Sequence, residues 1–126
     1  MDVFNKYVGQ VFDGRYKIEG TVGVGGMAIV FEATDLLTNR KVAVKMLKDS
    51  VSGNTQAIKR FIIESKAVAM LNHENIVKIY DVGFSENLQY IIMEYIDGIT
   101  LKDYIEKEKA LNWKDAVHFM IQILRA

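Results

Sequence analysis

The fold is decided by the stretch Thr21-Val-Gly-Val-Gly-Gly-Met-Ala-Ile-Val30 and by Lys45, which follows fifteen residues later in Val42-Ala-Val-Lys45. Because glycine has no Cβ, such a loop can take turn conformations closed to other residues and bring its N–H groups close to phosphate oxygens. A glycine cluster is also typical of tight hairpins that bind nothing, and the loop alone favours that plain hairpin. The interpretation therefore depends on the flanking residues.

The residues after the loop exclude two other phosphate-binding folds. Ala28-Ile-Val-Phe-Glu-Ala33 is rich in β-branched and aromatic residues and predicts a strand, whereas the glycines of a dinucleotide-binding unit open a helix. The lysine of a P-loop directly follows the last glycine and precedes Ser or Thr, and this sequence has no such Gly-Lys-Ser/Thr. The loop is therefore predicted to join two strands and to act as a lid over an anion.

Composition and length predict one domain without a nucleic-acid partner. The chain has 126 residues, of which 50% are hydrophobic, and this suffices for a core. Sixteen basic residues balance sixteen acidic ones, so no overall positive charge favours nucleic acid. The chain has no cysteine, and His73 and His118 are too few to indicate a metal centre. We find neither a signal peptide nor a run of roughly twenty apolar residues.

The hydrophobic pattern predicts five strands, with one helix between the third and the fourth and two helices at the end. Asn112 is a suitable N-cap for the last helix, with Asp115 at its N3 position. The predicted strands are residues 15–22, 28–34, 41–47, 76–82 and 88–95, and the predicted helices are residues 55–71, 100–107 and a segment that starts near residue 112.

Two charged residues fall on apolar faces of these elements. Strand alternation places Lys45 on the face of Ala43, and helical spacing places Glu64 on the stripe of Phe61 and Val68. An isolated buried charge is unfavourable, so the two residues either pair or serve a polar site where the sheet meets the helix. The alternative is that Lys45 extends its charge to solvent and Glu64 lies at the edge of the stripe. With the glycine-rich loop beside them, we favour the pair.

Taken together, these motifs resemble the eukaryotic-like protein kinases, and specifically the bacterial transmembrane Ser/Thr kinases with extracellular PASTA repeats, from Tyr16 to the end of the chain. The loop is similar to the family's glycine-rich loop, with Ala28 where many kinases have a third glycine. Lys45 and Glu64, nineteen residues apart, match the lysine of strand three and the glutamate of helix C. Two further segments resemble the turn into strand four, with Glu74 where proline is common, and strand five with its hinge: Leu71-Asn-His-Glu-Asn-Ile-Val77 and Ile92-Met-Glu-Tyr-Ile-Asp-Gly98.

The resemblance implies an α+β fold and two regions. Residues 1–97 would form the amino-terminal lobe of a kinase, a five-stranded antiparallel sheet with helix C. Residues 98–126 would form the exit of the hinge and the start of the carboxy-terminal lobe, with helices D and E.

The resemblance also implies a site for ATP with Mg²⁺. The loop would cover the phosphates, Lys45 would contact the α- and β-phosphates, and Glu64 would hold Lys45 in place. Val22, Val30 and Ala43 would line the adenine pocket. Met93 would be its gatekeeper, while the Glu94 carbonyl and the Ile96 amide would bind the adenine edge. The residues implied in ATP binding are Val22, Gly23, Val24, Gly25, Gly26, Met27, Ala28, Val30, Ala43, Lys45, Met93, Glu94, Ile96 and, near the ribose, Thr100.

The 126 residues lack the His-Arg-Asp, Asp-Phe-Gly and Ala-Pro-Glu motifs of a complete kinase. The catalytic base and the metal ligands would therefore lie outside the chain, and we expect the chain by itself to be inactive. The whole protein is predicted to phosphorylate Ser or Thr in protein substrates. A pseudokinase or nucleotide-sensing module and a dimerisation module remain as alternatives.

Two features predict self-association. The helix from Trp113 to Leu124 has little polar surface, as expected of a helix that is buried within a larger domain. Arg15 and Asp81 stand where the family places contacts of a back-to-back dimer of amino-terminal lobes, although both also suit a solvated surface. The resemblance further implies a cytoplasmic kinase domain in a single-pass membrane protein.

Overall fold

The computed structural model describes residues 3–85 and 88–126. A 3-10 helix and four strands come first, and two helices separate them from the last two strands and the final helices. The elements are the 3-10 helix Val3–Tyr7, β1 Val11–Phe12, β2 Tyr16–Val24, β3 Ala28–Asp35, β4 Arg40–Leu47, α1 Asp49–Ser52, α2 Thr55–Ala69, β5 Ile79–Ser85, β6 Leu88–Glu94, α3 Leu101–Glu108 and α4 Trp113–Arg125.

The strands form one antiparallel sheet in the order β1-β2-β3-β4-β6-β5. The five predicted strands and the helix between the third and the fourth are confirmed, and α2 packs against the edge strand β5. The two-residue strand β1 was not predicted, because two residues cannot show an alternation of polar and apolar side chains. The fourth predicted strand starts at Ile79 rather than at residue 76, since residues 74–76 turn and bend before it.

Both faces of β4 are buried, and this makes it the central strand of the fold. Val42, Val44 and Met46 belong to the main core on one face, while Ala43 and Leu47 are buried on the other. Burial of each large aliphatic or aromatic side chain contributes about 1.5–3 kcal/mol, so the strand is held firmly from both sides. Its position is therefore well suited to carry a functional side chain such as that of Lys45.

Arg15 and Asp35 form an ion pair that closes the open end of the β2–β3 hairpin. The Arg15 guanidinium donates from Nε and Nη2 to the two Asp35 oxygens, at 2.8 Å each, and the Leu37 amide donates to Asp35 at 3.0 Å. Asp35 is only 1% exposed, and the guanidinium beside it holds the pKa of its carboxyl well below the usual range. Arg15 is therefore a partly exposed charge with a partner in its own chain, because its guanidinium compensates the buried carboxylate of Asp35.

The helices start where side-chain acceptors can cap them. The side chain of Asn54 accepts from two amides at the start of α2, and Thr100 Oγ1 accepts from the Asp103 amide at 3.0 Å. Asn112 Oδ1 accepts from the Lys114 amide at 2.9 Å, which confirms the predicted N-cap of α4. Each such cap stabilises its helix by roughly 0.5–2 kcal/mol.

Helix α4 has few contacts with the rest of the described chain. Phe119 packs edge-on against Tyr104 of α3 at 5.6 Å between ring centroids, and Asn75 Nδ2 donates to the backbone and side-chain oxygens of Gln122. Most apolar side chains of α4 are exposed, among them Val117, Met120, Ile121, Ile123 and Leu124. No helix among the described residues is long and apolar enough to cross a bilayer.

Candidate nucleotide-binding site

The glycine-rich loop is the turn of the β2–β3 hairpin. Gly23 and Val30 face each other across the two strands, and the Gly25 amide donates to the Ala28 carbonyl at 2.8 Å to close the turn. The Lys48 amide donates to the Met27 carbonyl at 3.0 Å and attaches the turn to the end of β4. The predicted strand–turn–strand context of the loop is therefore confirmed, and the context of a dinucleotide-binding helix is excluded.

The loop glycines do not owe their identity to an unusual backbone. None of Gly23, Gly25 and Gly26 has a positive φ, so the turn does not use the left-handed conformations that glycine permits. An added Cβ at Gly23 or Gly26 would meet no atom within 4 Å, and at Gly25 the nearest is the Ala28 oxygen at 3.4 Å. The fold therefore has no steric requirement for glycine at positions 23 and 26. The space next to the backbone at both positions is open.

An apolar cavity of about 190 Å³ lies between the sheet and the segment that follows β6. It combines Val30 and Ala43, which are not neighbours in the sequence but lie on adjacent strands β3 and β4. Six of the residues expected around adenine line it together, namely Val22, Val30, Ala43, Met93, Glu94 and Ile96.

Two further residues line the same cavity and were not predicted. Val77 lies in the segment before β5, and Tyr95 directly follows β6 between Glu94 and Ile96. Tyr95 could have been predicted from the sequence, because it lies between Glu94 and Ile96, which were both expected at the site and line the same cavity. Val77 had no such signal, since only the fold brings its segment to the sheet.

A second cavity, of about 160 Å³, lies between β4 and α2 and contains both Lys45 and Glu64. Lys45 is half-buried at the centre of β4, where the register pairs it with Val30 on one side and Ile91 on the other. Met93 lines both cavities, so the two spaces adjoin at this side chain. The other lining residues are Phe61, Ser65, Val68, Ile79 and Ile91.

Lys45 and Glu64 share this cavity without touching. No ion pair joins them in the part of the chain that the structure describes, and Glu64 is exposed. The expectation that Glu64 is a charge on a buried face is therefore wrong. The buried stripe of α2 runs instead through Ala57, Phe61 and Ser65, which places Glu64 at its edge.

The remaining residues that the sequence predicts for the ATP site line neither cavity. Val24, Gly25, Gly26 and Met27 are exposed in the loop, and Ala28 is half-buried where β3 begins. Thr100, which was expected near the ribose, does not line the apolar cavity, and its hydroxyl caps α3.

A larger cavity, of about 350 Å³, lies on the opposite face of the sheet and contains none of the predicted site residues. Its walls are Tyr7, Ile29 and Met46, which belong to the main core. At its rim Lys6 donates to Asp49 at 2.6 Å, so this charge is already paired within the chain. The largest of these three cavities is therefore not one that the predicted site residues line.

The glycine-rich hairpin, the lysine at the centre of β4 and the apolar cavity between them are features of the protein kinase domain. The chain belongs to the protein kinase domain family, which matches residues 16–126. It is 41% identical over 119 residues to the serine/threonine-protein kinase PrkC of Bacillus subtilis (strain 168). The matched region spans 94% of this chain and 18% of that protein. It is 43% identical over 120 residues to the probable serine/threonine-protein kinase PknB of Lactococcus lactis subsp. lactis (strain IL1403), with 94% and 19% covered.

Solved structures show the same fold. The PknI kinase domain of Mycobacterium tuberculosis, determined as a double mutant, matches 79% of this chain with a TM-score of 0.68 and 25% identity. The chain covers 39% of that structure. The apo form of PpkA-294 matches 79% of this chain with a TM-score of 0.70 at 21% identity, which shows the fold alone. The chain thus spans about a fifth of the curated relatives and about two fifths of these kinase structures.

Proposed function

We propose that this chain is the ATP-binding part of a protein Ser/Thr kinase, which transfers the γ-phosphoryl group of ATP to hydroxyl groups of protein substrates. The observation that carries the proposal is the convergence of six expected adenine-site residues on one apolar cavity, next to the cavity that contains Lys45. Because apolar walls with a few polar groups are typical of sites for flat ligands, the cavity suits the adenine base.

The glycine-rich loop would bind the phosphates through its backbone. The open space above Gly23 and Gly26 allows phosphate oxygens to approach the N–H groups of the turn. The hydrogen bond from the Lys48 amide to the Met27 carbonyl attaches the far side of the turn to the end of β4. The loop therefore stays close to the strand that carries Lys45. When bound, ATP with Mg²⁺ supplies the phosphoryl group and a metal that offsets its charge.

Lys45 and Glu64 would have complementary roles. Lys45 extends from a strand that is buried on both faces, so its backbone is fixed and its ammonium group can reach the phosphates. A shift of α2 toward β4 would bring Glu64 to Lys45 and hold it there, which would make the position of this helix a regulatory variable. We assign the catalytic base and the Mg²⁺ ligands to protein beyond Ala126, and we therefore expect the 126-residue chain not to transfer phosphate.

Titration of the chain with a fluorescent ATP analogue tests the binding site. Because a charge-assisted contact between lysine and phosphate contributes roughly 1.5–3 kcal/mol, Lys45→Met should weaken binding about tenfold or more. Lys59→Met is the matched control, since this exposed lysine on α2 lines neither cavity and should leave the affinity unchanged. Equal affinities of the wild type and Lys45→Met would contradict the assignment of Lys45.

The enzymatic part of the proposal is tested on the longer protein. A Ser/Thr kinase requires a catalytic loop with an aspartate and a second aspartate that binds metal. Their absence from the reading frame past Ala126 would favour a pseudokinase or a nucleotide-sensing module. The cytoplasmic location and the membrane anchor that the resemblance implies belong to the same proposal for the longer protein.

A second candidate function is self-association, which the exposed apolar residues of α4 favour. Two routes are distinct: contact through α4, and a back-to-back contact of amino-terminal lobes through Arg15 and Asp81. Asp81→Ala is the cleaner test of the second route, because Arg15→Ala would also leave the buried Asp35 without its partner.

A further inference from the structure

Two charged residues lie on the nucleotide-facing side of the sheet, outside the set already assigned to ATP binding. Alternation along β4 places Lys41 on the same face as Ala43 and Lys45, and alternation along β3 places Glu32 on the face of Val30. The Lys41 ammonium donates to Glu32 at 2.8 Å between Nζ and Oε1. Both side chains therefore lie next to the wall of the adenine cavity.

The Lys41 ammonium also lies over the ring of Tyr95, one of the cavity-lining residues that the sequence did not predict. Its Nζ atom is 5.0 Å from the ring centroid, within the range of a cation–π interaction. The pKa of Lys41 is raised, mainly by the hydrogen bond to Glu32, with smaller contributions from Tyr95 and Asp97. One cation thus connects β3 and β4 to the segment after β6.

We infer that Lys41, held by Glu32, positions Tyr95 and thereby fixes the outer wall of the adenine cavity. Lys41 is on this account a positioning residue for recognition of the base, and this role rests on the proposed function. The last residue of β6 that pairs with β4 is Glu94, opposite Val42. Tyr95 follows it, so the pairing of the sheet does not hold Tyr95.

The physical reason is preorganisation. A lysine side chain is long and flexible, and an exposed cation–π contact alone is weak. The ion pair with Glu32 restricts the ammonium to the space above the Tyr95 ring before any ligand binds. A wall that is already in place lowers the entropy cost of binding, so loss of the cation should weaken binding without any loss of contact to the ligand.

Nucleotide affinity tests the role in recognition, with the fluorescent ATP analogue as the probe. Lys41→Met should weaken binding about two- to fivefold, the range that an exposed cation–π contact supports, and Lys41→Arg should restore it. In a Tyr95→Leu background Lys41→Met should have no further effect, because Lys41 acts through that ring. Full additivity of the two substitutions, or no loss in Lys41→Met, would overturn the role in recognition.

Arg40 provides the matched control. Its guanidinium lies 4.2 Å from the ring centroid of Tyr80, so it makes the same kind of contact one residue away on the same strand. Neither Arg40 nor Tyr80 lines the adenine cavity. Arg40→Met should therefore leave nucleotide affinity unchanged, and an equal loss in this variant would contradict a specific role of Lys41.

The position of Tyr95 is measured separately, by NMR of the ligand-free chain with ¹³C-labelled tyrosine. Lys41→Met should shift the ring resonances of Tyr95, Lys41→Arg should largely retain them, and Arg40→Met should shift those of Tyr80 alone. Unshifted Tyr95 resonances in Lys41→Met would overturn the positioning role, whatever the nucleotide result. A wild-type chain that does not bind the analogue contradicts the proposed function and the role in recognition, and the spectra alone then decide whether Lys41 positions Tyr95.

Discussion

Two glycines of this chain, Gly26 and Gly83, differ in whether the fold itself requires a residue without a Cβ. At Gly26 an added Cβ would meet no atom within 4 Å, whereas at Gly83 it would overlap the ring and the hydroxyl group of Tyr90. Tyr90 is fully buried and its hydroxyl donates to Asp13, so the ring cannot move aside easily. The fold thus requires glycine at position 83, and at position 26 only a ligand would.

The two alanine variants should therefore separate stability from binding. Gly83→Ala should lower the free energy of unfolding by about 1–3 kcal/mol, the usual cost of overpacking. Gly26→Ala should change the free energy of unfolding by less than about 0.5 kcal/mol, and yet weaken binding of the ATP analogue, because the methyl group occupies space above the loop. Urea denaturation and titration measure the two effects. Unchanged affinity in Gly26→Ala would contradict phosphate binding at this turn.

Among the elements, the β2–β3 hairpin depends on a contact at the end opposite to its glycine-rich turn. Arg15 lies just before β2 and Asp35 ends β3, so their ion pair joins the two strands where the hairpin would otherwise open. The hairpin carries both the loop and Val30, which lines the apolar cavity beside β6. A contact at the opposite end of the hairpin therefore helps to hold the loop and this part of the cavity wall in place.

Asp35→Asn should destabilise the protein in a pH-dependent way. At neutral pH we expect a loss of about 1.5–3 kcal/mol, because hydrogen bonds to a charged group are lost. The folded-state pKa of Asp35 lies below its ordinary value of 3.8, so its contribution is complete above that pH and disappears as the pH falls through the folded-state pKa. The difference between wild type and variant in chemical denaturation should thus shrink below about pH 4.

The exposed carboxylate of Glu106 on α3 provides a control for that measurement. Glu106→Gln should leave the free energy of unfolding at neutral pH nearly unchanged, since exposed charges contribute little. A constant difference between wild type and Asp35→Asn from pH 7 to pH 3 would show that the carboxylate charge is not what stabilises the hairpin.

At the scale of the whole molecule, the main core and the last helix differ sharply. The sheet buries a continuous set of apolar side chains, whereas α4 exposes most of its own. Its contacts with the rest of the described chain include one aromatic pair and the bonds between Asn75 and Gln122. An apolar surface of this kind is typical of a helix that packs against another protein surface.

We therefore expect the 126-residue chain to self-associate through α4, so that its mass in sedimentation rises with concentration. Leu124→Lys should lower this association, because it places a charge on the apolar surface. Leu37→Lys is a matched control at the β3–β4 turn, since Leu124 and Leu37 are 77% and 76% exposed. If Leu37→Lys or Asp81→Ala dissociates the oligomer and Leu124→Lys does not, the contact between chains lies on the sheet and not on α4. A monomeric wild type at all concentrations would contradict self-association.

Much of the fold could be predicted because its signals are local. The alternation in β4, the helical spacing of α2 and the cap at Asn112 each depend on residues that are close in sequence. The 3-10 helix and β1 could not be predicted, since both are too short to show a period. Among the residues that line the two cavities, those in a motif, such as Lys45, could be named from the sequence. Those that only packing brings there, such as Val77, could not.

The sequence by itself determined the order of the longer strands and helices, the glycine-rich turn and the family, because periodicity and motif spacing are properties of neighbouring residues. Only the tertiary structure decided that Glu64 is exposed and not ion-paired with Lys45, that Arg15 neutralises Asp35, and which residues complete the wall of the apolar cavity beside β6. These features depend on distances between side chains that are far apart along the chain. Such distances follow from how the sheet and α2 pack, which no local pattern records.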